Sequence, residues 1–198
     1  MGTLDQTIFL ALNFDGGLTI DCLMFIISGR ITWLPLYLLI IWLIWRQYGW
    51  KTTLIAVAMI AIAVGLADQI CNLFKDGFRM LRPNHTEALA PLMHFPLRDG
   101  IPYVNSGLYG TVSAHAATVT SIAVLACSFV RRRWFAVVAA VWVALVCYSR
   151  IYIGAHFPSQ ILFGIILGLL IGWAGTAIAR RFRLYKPRPV RDRQQSPQ

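Results

Sequence analysis

Five long apolar runs, separated by short polar segments, dominate the pattern of this chain. They cover approximately residues 21–48, 52–74, 112–130, 134–149 and 158–179. Most of them approach the roughly 20 residues that an α-helix needs to cross a bilayer. The pattern therefore predicts an all-α fold, a polytopic membrane helix bundle with about five transmembrane helices.

The N-terminal segment is too short to be a sixth crossing of the same kind. Leu4, Ile8 and Leu12 repeat at helical spacing over residues 4–13, which favours a short helix lying in the membrane interface. A sixth span that includes this segment is the alternative. The first long run contains Arg30 and Pro35, and a kink near Pro35 or a short interfacial first part would reconcile its length with a bilayer.

Composition supports the membrane assignment. Of 198 residues, 58% are hydrophobic and 13% are charged, which is unlike a soluble globular protein. The net charge of +10 comes from basic residues at the ends of runs and in the tail, without an aromatic-interleaved basic face, so a nucleic-acid partner is not expected. The four cysteines form no C-x-x-C pair, and Asp76 and Asp99 are isolated, so neither a metal nor another cofactor is predicted.

The basic residues also predict an orientation. Five crossings place Arg46, Lys51, the Arg131–Arg133 triplet and the basic tail on one side, which should be the cytoplasm. We expect residues 1–185 to form the membrane domain and residues 186–198 to be a disordered basic tail. The polar connection 75–111 would then lie outside a bacterial inner or plasma membrane. Lys and Arg are usually enriched in cytoplasmic loops, so the cations of this outer connection need another explanation, and an anionic ligand would provide one. Its histidines, His85 and His94, are interpreted as surface residues.

Three clusters lie at the ends of runs on this outer side. The first is K-D-G-F-R-M-L-R-P, residues 75–83, in which Lys75 and Arg82 are seven positions apart and would share one helix face. The second is G-T-V-S-A-H, residues 110–115, where Ser113 can cap a helix whose free N–H groups favour phosphate. His115 would lie in or beside the first turn of that helix.

The third cluster is S-R-I-Y-I-G-A-H-F-P-S-Q, residues 149–160. Arg150 should lie at the end of one helix, and the coplanar N–H donors of its guanidinium group suit phosphate oxygens. Pro158 suits the first turn of the next helix, which places His156 just before that helix. If the clusters meet, three cations and a helix N-terminus would surround a phosphoryl group. One histidine would attack phosphorus and the other would protonate the departing oxygen.

These motifs, K-x6-R-P, S-x-H and S-R-x5-H in this order, resemble the type 2 phosphatidic acid phosphatase (PAP2) superfamily. The resemblance implies that Lys75, Arg82 and Arg150 bind the phosphate, and that Ser113 and Ala114 contact it. It further implies that His115 is the general acid and that His156 is the nucleophile, which forms a phosphohistidine. The membrane members of the family dephosphorylate lipid phosphates and diphosphates at the outer leaflet.

Two positions depart from the family pattern. Ala114 replaces the usual glycine and adds a methyl group near the phosphate. Gln160 replaces the usual aspartate, and its carbonyl oxygen can accept the hydrogen bond of His156 but carries no charge. Asp68 is an alternative acid by residue type, although a polar residue that pairs with Lys75 or with another cation of the bundle is the favoured interpretation.

The expected function is therefore metal-independent hydrolysis of a membrane lipid phosphate or diphosphate, with undecaprenyl diphosphate as the favoured substrate. Phosphatidylglycerol phosphate, phosphatidic acid and lipid A phosphate are alternative substrates. A non-catalytic binder of phospholipid headgroups and a lipid-to-lipid phosphotransferase are alternative functions. The glycines Gly164, Gly168 and Gly172 recur every four positions and favour close helix packing within the chain, while the oligomeric state stays open.

Overall fold

The computed structural model describes residues 3–98, 100–104 and 107–184, and within them the chain is a helix bundle. Its helices are α1 Thr3–Leu12, α2 Gly17–Ser28, α3 Leu34–Tyr48, α4 Trp50–Phe78, α5 Ala114–Val130, α6 Arg133–Tyr152 and α7 Pro158–Arg181. Two short strands, β1 Leu97–Arg98 and β2 Ile101–Pro102, form an antiparallel hairpin in the long connection. The predicted tail at 186–198 lies outside the described residues.

Three of these helices, α4, α6 and α7, are long and apolar enough to cross a membrane. Helices α1 and α2 together would give a fourth candidate, although the chain bends by 112° between them. Helix α5 is apolar but has only 17 residues. The predicted class, an all-α membrane bundle, is confirmed, whereas the count of five spans stays a prediction.

The first apolar run is not one helix. Helix α2 ends at Ser28, a 3₁₀ turn covers Ile31–Trp33, and α3 begins at Leu34. Pro35 lies in the first turn of α3, where its missing N–H breaks no helical hydrogen bond. The run therefore breaks just before Pro35, which confirms the break expected near this proline, and residues 21–48 contain two helices joined by the 3₁₀ turn.

Helices α5 and α7 pack most closely, and glycines make this possible. A Cβ added at Gly164 would lie 2.6 Å from the carbonyl oxygen of Ser113, and one at Gly168 would lie 2.5 Å from that of Ala117. One at Gly172 would meet the side chain of Val124 at 2.6 Å. The predicted close packing within the chain is confirmed, and it holds the N-terminus of α5 against that of α7.

A buried polar network joins the N-terminal helices to the end of α6. One carboxylate oxygen of Asp21 accepts a hydrogen bond from the Tyr152 hydroxyl at 2.7 Å and lies 3.0 Å from His94 Nε2. The other accepts from the Leu97 N–H at 2.8 Å. His94 is therefore a structural partner of Asp21, and its interpretation as a surface histidine is wrong. Because Tyr152 lies between Arg150 and His156, this network also fixes the segment that carries them.

Candidate active site

The segment after α4 brings the first and second clusters together. Helix α4 ends at Phe78, where Arg79 adopts a left-handed conformation (φ 48°). The chain then runs extended beside residues 108–110: the Arg82 N–H donates to the Leu108 carbonyl at 3.1 Å, and the Gly110 N–H donates to the Met80 carbonyl at 2.8 Å. The prediction that Lys75 and Arg82 share a helix face is therefore wrong, because Arg82 lies beyond the helix.

His156 lies in the short connection between α6 and α7 and is almost fully buried. Its Nδ1 lies 3.1 Å from the Gly110 carbonyl oxygen and 3.1 Å from Gln160 Oε1. Both partners are acceptors, so we assign the ring proton to Nδ1. Nε2 then carries the free lone pair and accepts a hydrogen bond from Arg82 Nη1 at 3.1 Å. This is the tautomer that a nucleophilic Nε2 requires.

Gln160 is fully buried, and its amide has a fixed orientation. Nε2 donates to the Leu81 carbonyl at 3.2 Å, while Oε1 also accepts from the Phe157 N–H at 3.2 Å. Oε1 therefore faces His156, as the sequence allowed. Asp68 does not take this place, because its carboxylate lies 3.5 Å from Asn72 Nδ2, and Asn72 in turn accepts from Lys75 Nζ at 3.0 Å.

Two buried arginines bring positive charge to His156. Arg82 Nη1 donates to the Ala155 carbonyl at 2.8 Å, and Arg150 Nη1 donates to Ser28 Oγ at 2.5 Å. In both guanidinium groups Nε is buried without a hydrogen-bond partner. Within the described parts of the chain neither arginine, nor Lys75, has a carboxylate within 4.0 Å. Buried cations without counter-ions and with unused donors favour binding of an anion.

The N-terminus of α5 faces α7 beside these cations. Ser113 is the N-cap and accepts from the Ala116 N–H at 3.4 Å, as predicted, while its own N–H donates to the Gln160 carbonyl at 3.1 Å. Ala114 and His115 are the first two residues of the helix. The first turn of a helix has unpaired N–H groups and the positive end of the dipole, which adds a further source of anion affinity.

The electrostatic interactions connect the three clusters. His115 is affected by the charges of Arg150, Arg30, Arg82 and Lys75, and His156 by those of Arg82 and Arg150. Burial, followed by these two arginines, holds the pKa of His156 well below its usual value, so its imidazole is neutral. The predicted residues of all three clusters thus gather at one end of the bundle. No trio of His, Cys, Asp or Glu arranged as a metal site occurs in the described residues.

A cavity of about 400 Å³ adjoins this site at His115. His115, Ser28, Arg30 and Asp68 line it together with Gly65. Its remaining walls are mainly apolar and come from α3 to α6 and the preceding 3₁₀ turn: Trp33, Tyr37, Val64, Thr118, Val119, Ile122 and Val146. An apolar space that meets a cationic site suits an amphiphile with an anionic head.

Sequence reasoning missed three residues at the site. The carbonyl of Gly110 holds His156, and a Cβ on this residue would lie 2.8 Å from both Arg82 Cγ and Gln160 Oε1. Asp5 accepts from the N–H and hydroxyl of Ser159, at 3.0 and 2.6 Å, and so caps the start of α7. Arg30 lies in the break after α2. Only its position as an arginine inside an apolar run could have indicated a role.

Comparison with known proteins identifies the family. Residues 52–184 match the model of the PAP2 superfamily. The chain is 31% identical over 176 residues to a lipid A 4'-phosphatase of Bacteroides thetaiotaomicron, covering 86% of this chain and 75% of the relative. It is 26% identical to an undecaprenyl-diphosphatase of Sulfolobus acidocaldarius, over 86% of this chain and 76% of the relative.

The fold has a counterpart of known structure. The crystal structure of a transmembrane PAP2-type phosphatidylglycerolphosphate phosphatase from Bacillus subtilis superimposes with a TM-score of 0.67 at 19% identity. The match covers 93% of this chain and 88% of the other. This likeness agrees with the helix bundle and with the membrane assignment. The chain is therefore an integral membrane protein of the PAP2 superfamily, and the predicted class, a PAP2-type phosphatase, is confirmed.

Proposed function

We propose that this protein hydrolyses a phosphate ester of a membrane lipid without a metal ion, through a phosphohistidine on His156. The contacts of His156 carry the proposal. Two acceptors hold its Nδ1 proton, which leaves the Nε2 lone pair directed toward Arg82 in a cluster of unpaired cations. A neutral imidazole with an unprotonated Nε2 is a competent nucleophile once Arg82 has moved away from it.

The reaction would proceed in two steps. Nε2 of His156 attacks phosphorus, the bond between phosphorus and the ester oxygen breaks, and His115 donates its proton to that oxygen. Water then attacks the phosphohistidine, His115 takes a proton from the water, and the bond from nitrogen to phosphorus breaks to release inorganic phosphate. Lys75, Arg82, Arg150, the Ser113 hydroxyl and the N–H groups of Ala114 and His115 would stabilise the phosphoryl oxygens in both transition states.

Arg82 has to move during the first step. In the structure its Nη1 donates to His156 Nε2, the atom that must attack phosphorus. A phosphoryl oxygen is a stronger, charged acceptor, so we expect the guanidinium to shift to the substrate and free Nε2. Binding of the anion and release of the nucleophile would thus be one event.

Two substrate classes follow from the relatives. Lipid A phosphate is the first, because relatives named lipid A 4'-phosphatase are 31% and 30% identical to this chain. Undecaprenyl diphosphate, the preference from the sequence, is the second, since an undecaprenyl-diphosphatase also matches. We place the enzyme in a bacterial inner membrane with the site on the periplasmic face, as the distribution of basic residues favours.

The test measures phosphate release by the purified protein in detergent with EDTA, using each lipid phosphate separately. We expect release that vanadate blocks, that His156→Ala abolishes, and that the matched variant His85→Ala leaves near the wild-type rate. Binding without release would instead support a headgroup binder, and release that requires a second lipid as acceptor would support a phosphotransferase. An acid-labile phosphoenzyme in the wild type, absent in His156→Ala, would identify the intermediate.

A further inference from the structure

An in-line displacement fixes where the two halves of the substrate lie. The nucleophile and the departing oxygen are on opposite sides of phosphorus, so with His156 on one side the leaving part lies on the side of His115. His115 lines the 400 Å³ cavity. The remainder of the lipid would therefore extend from His115 past other residues that line this cavity.

Arg30 belongs to none of the three clusters. It lines the same cavity as His115, and its positive charge acts on His115. The side chain is exposed, and in the described parts of the chain no carboxylate lies within 4.0 Å of it. Arg30 also precedes the region 52–184 that matches the family model.

The backbone at Arg30 is held in a defined turn. Thr32 Oγ1 donates to the Ile26 carbonyl at 2.5 Å, and Trp33 Nε1 donates to the Ile27 carbonyl at 2.8 Å. These bonds tie the 3₁₀ turn to the last turn of α2, and the bond from Arg150 to Ser28 joins the same turn to the phosphate-binding cluster. The arginine is thus presented at a fixed place beside the site.

Asp68 is an acidic residue that lines the same cavity. Its carboxylate is hydrogen-bonded to Asn72 of α4, and Asn72 also accepts from Lys75. Arg30 therefore keeps its charge available for a ligand. An arginine that only anchored the chain among lipid headgroups would not have to line the same cavity as His115.

We propose that Arg30 binds a second anionic group, a phosphate on the leaving part of the substrate. This inference rests on the proposed function and narrows it to lipids that carry two phosphates, either as a diphosphate or at separate positions. With a diphosphate, the bond between the terminal phosphorus and the bridging oxygen breaks, and the lipid monophosphate departs. Arg30 then offsets the negative charge that develops on this leaving group.

The experiment compares Arg30→Gln with the wild type on matched substrates. One pair is an isoprenyl diphosphate and the monophosphate with the same chain, and the other is a glycolipid with two phosphates and the same glycolipid with one. We expect Arg30→Gln to lower kcat/KM by about 10- to 100-fold on the doubly phosphorylated members, the effect of losing one charge-assisted hydrogen bond. On the singly phosphorylated members kcat/KM should change by no more than about 3-fold, which corresponds to a small fraction of the free energy of one such hydrogen bond.

The controls separate charge from structure. Arg30→Lys should recover part of the loss, and Arg79→Gln, at an exposed arginine at the end of α4, should behave as the wild type on every substrate. An effect confined to the isoprenyl pair would show that Arg30 binds a second phosphate bonded directly to the first. An effect confined to the glycolipid pair would show that it binds a phosphate at a separate position. Equal losses on all four substrates, no loss on any, or a wild type that hydrolyses only monophosphates would overturn the proposal. A wild type that releases no phosphate from any of them would instead refute the proposed function.

Discussion

Gly110→Ala is the change that most directly tests how His156 is positioned. The new Cβ would lie 2.8 Å from Arg82 Cγ and from Gln160 Oε1, and 3.3 Å from His156 Nδ1. Gly110 has no positive φ, so alanine can adopt its backbone conformation and the conflict is purely steric. The atoms that must move are those that orient His156, because its ring contacts both Arg82 and Gln160.

The size of the effect follows from the required shift. Relieving the two 2.8 Å contacts needs displacements of several tenths of an ångström in Gln160 and Arg82. A misplacement of about 1 Å in a reacting group lowers rates by about 100-fold, and overpacking destabilises a folded protein by about 1–3 kcal/mol. We therefore expect Gly110→Ala to reduce kcat by about 10- to 100-fold, with a protein that still folds.

The assay is phosphate release at saturating substrate in detergent, with thermal unfolding measured on the same samples. Gly77→Ala is the control, because a Cβ there meets nothing within 4 Å in the same chain. Gly110→Ala with wild-type kcat and an unchanged unfolding temperature would refute the reasoning. It would mean that the contacts among Gly110, Gln160 and His156 do not control the attack.

Three further predictions follow from the same contacts. Gln160→Leu should lower kcat/KM by about 10-fold, the value of one hydrogen bond, because the Gly110 carbonyl still holds the His156 proton; a loss above about 1000-fold would contradict this. Since the pKa of His156 is lowered in the folded protein, unfolding takes up a proton below about pH 6.5. The free energy of unfolding should therefore decrease on acidification, and this residue contributes at most about 1.4 kcal/mol per pH unit to the decrease. The stability of the His156→Gln variant should decrease less steeply with falling pH. Gly65→Leu should narrow the cavity and impair hydrolysis of long-chain lipids but not of a short soluble phosphate ester, whereas Gly77→Leu should impair neither.

Much of the candidate site could be predicted because its signals are local. Ser113 caps α5 and Pro158 begins α7 through contacts within one turn of each residue, which single-sequence patterns contain. Arg150 lies in the last turn of α6, and His156 follows it before the next helix begins. The chemistry of these side chains at the ends of apolar runs was enough to indicate an anion site.

The incorrect expectations involve long-range contacts. Lys75 and Arg82 were expected on one helix, but α4 ends early because the following residues pair with the chain near Leu108. The sequence predicts a surface position for His94, yet its partner Asp21 is 73 positions away. No spacing rule in a single sequence specifies such pairs, since they depend on how the helices pack. The same limit explains why Gly110 was not recognised as a contact of His156.

The neutral Gln160 changes the charge balance of the site more than it changes the position of His156. In a Ser-His-Asp triad, replacing aspartate with its amide lowers kcat by about 10⁴, largely through the wrong tautomer. Here the Leu81 carbonyl fixes the amide, and Gly110 is a second acceptor, so Nδ1 keeps its proton without a carboxylate. A carboxylate at this position would offset part of the positive charge of the arginines. In the proposed mechanism, an amide leaves that charge available to the phosphoryl group, and the negative charge of that group, once it is bonded to His156, can stabilise the ring.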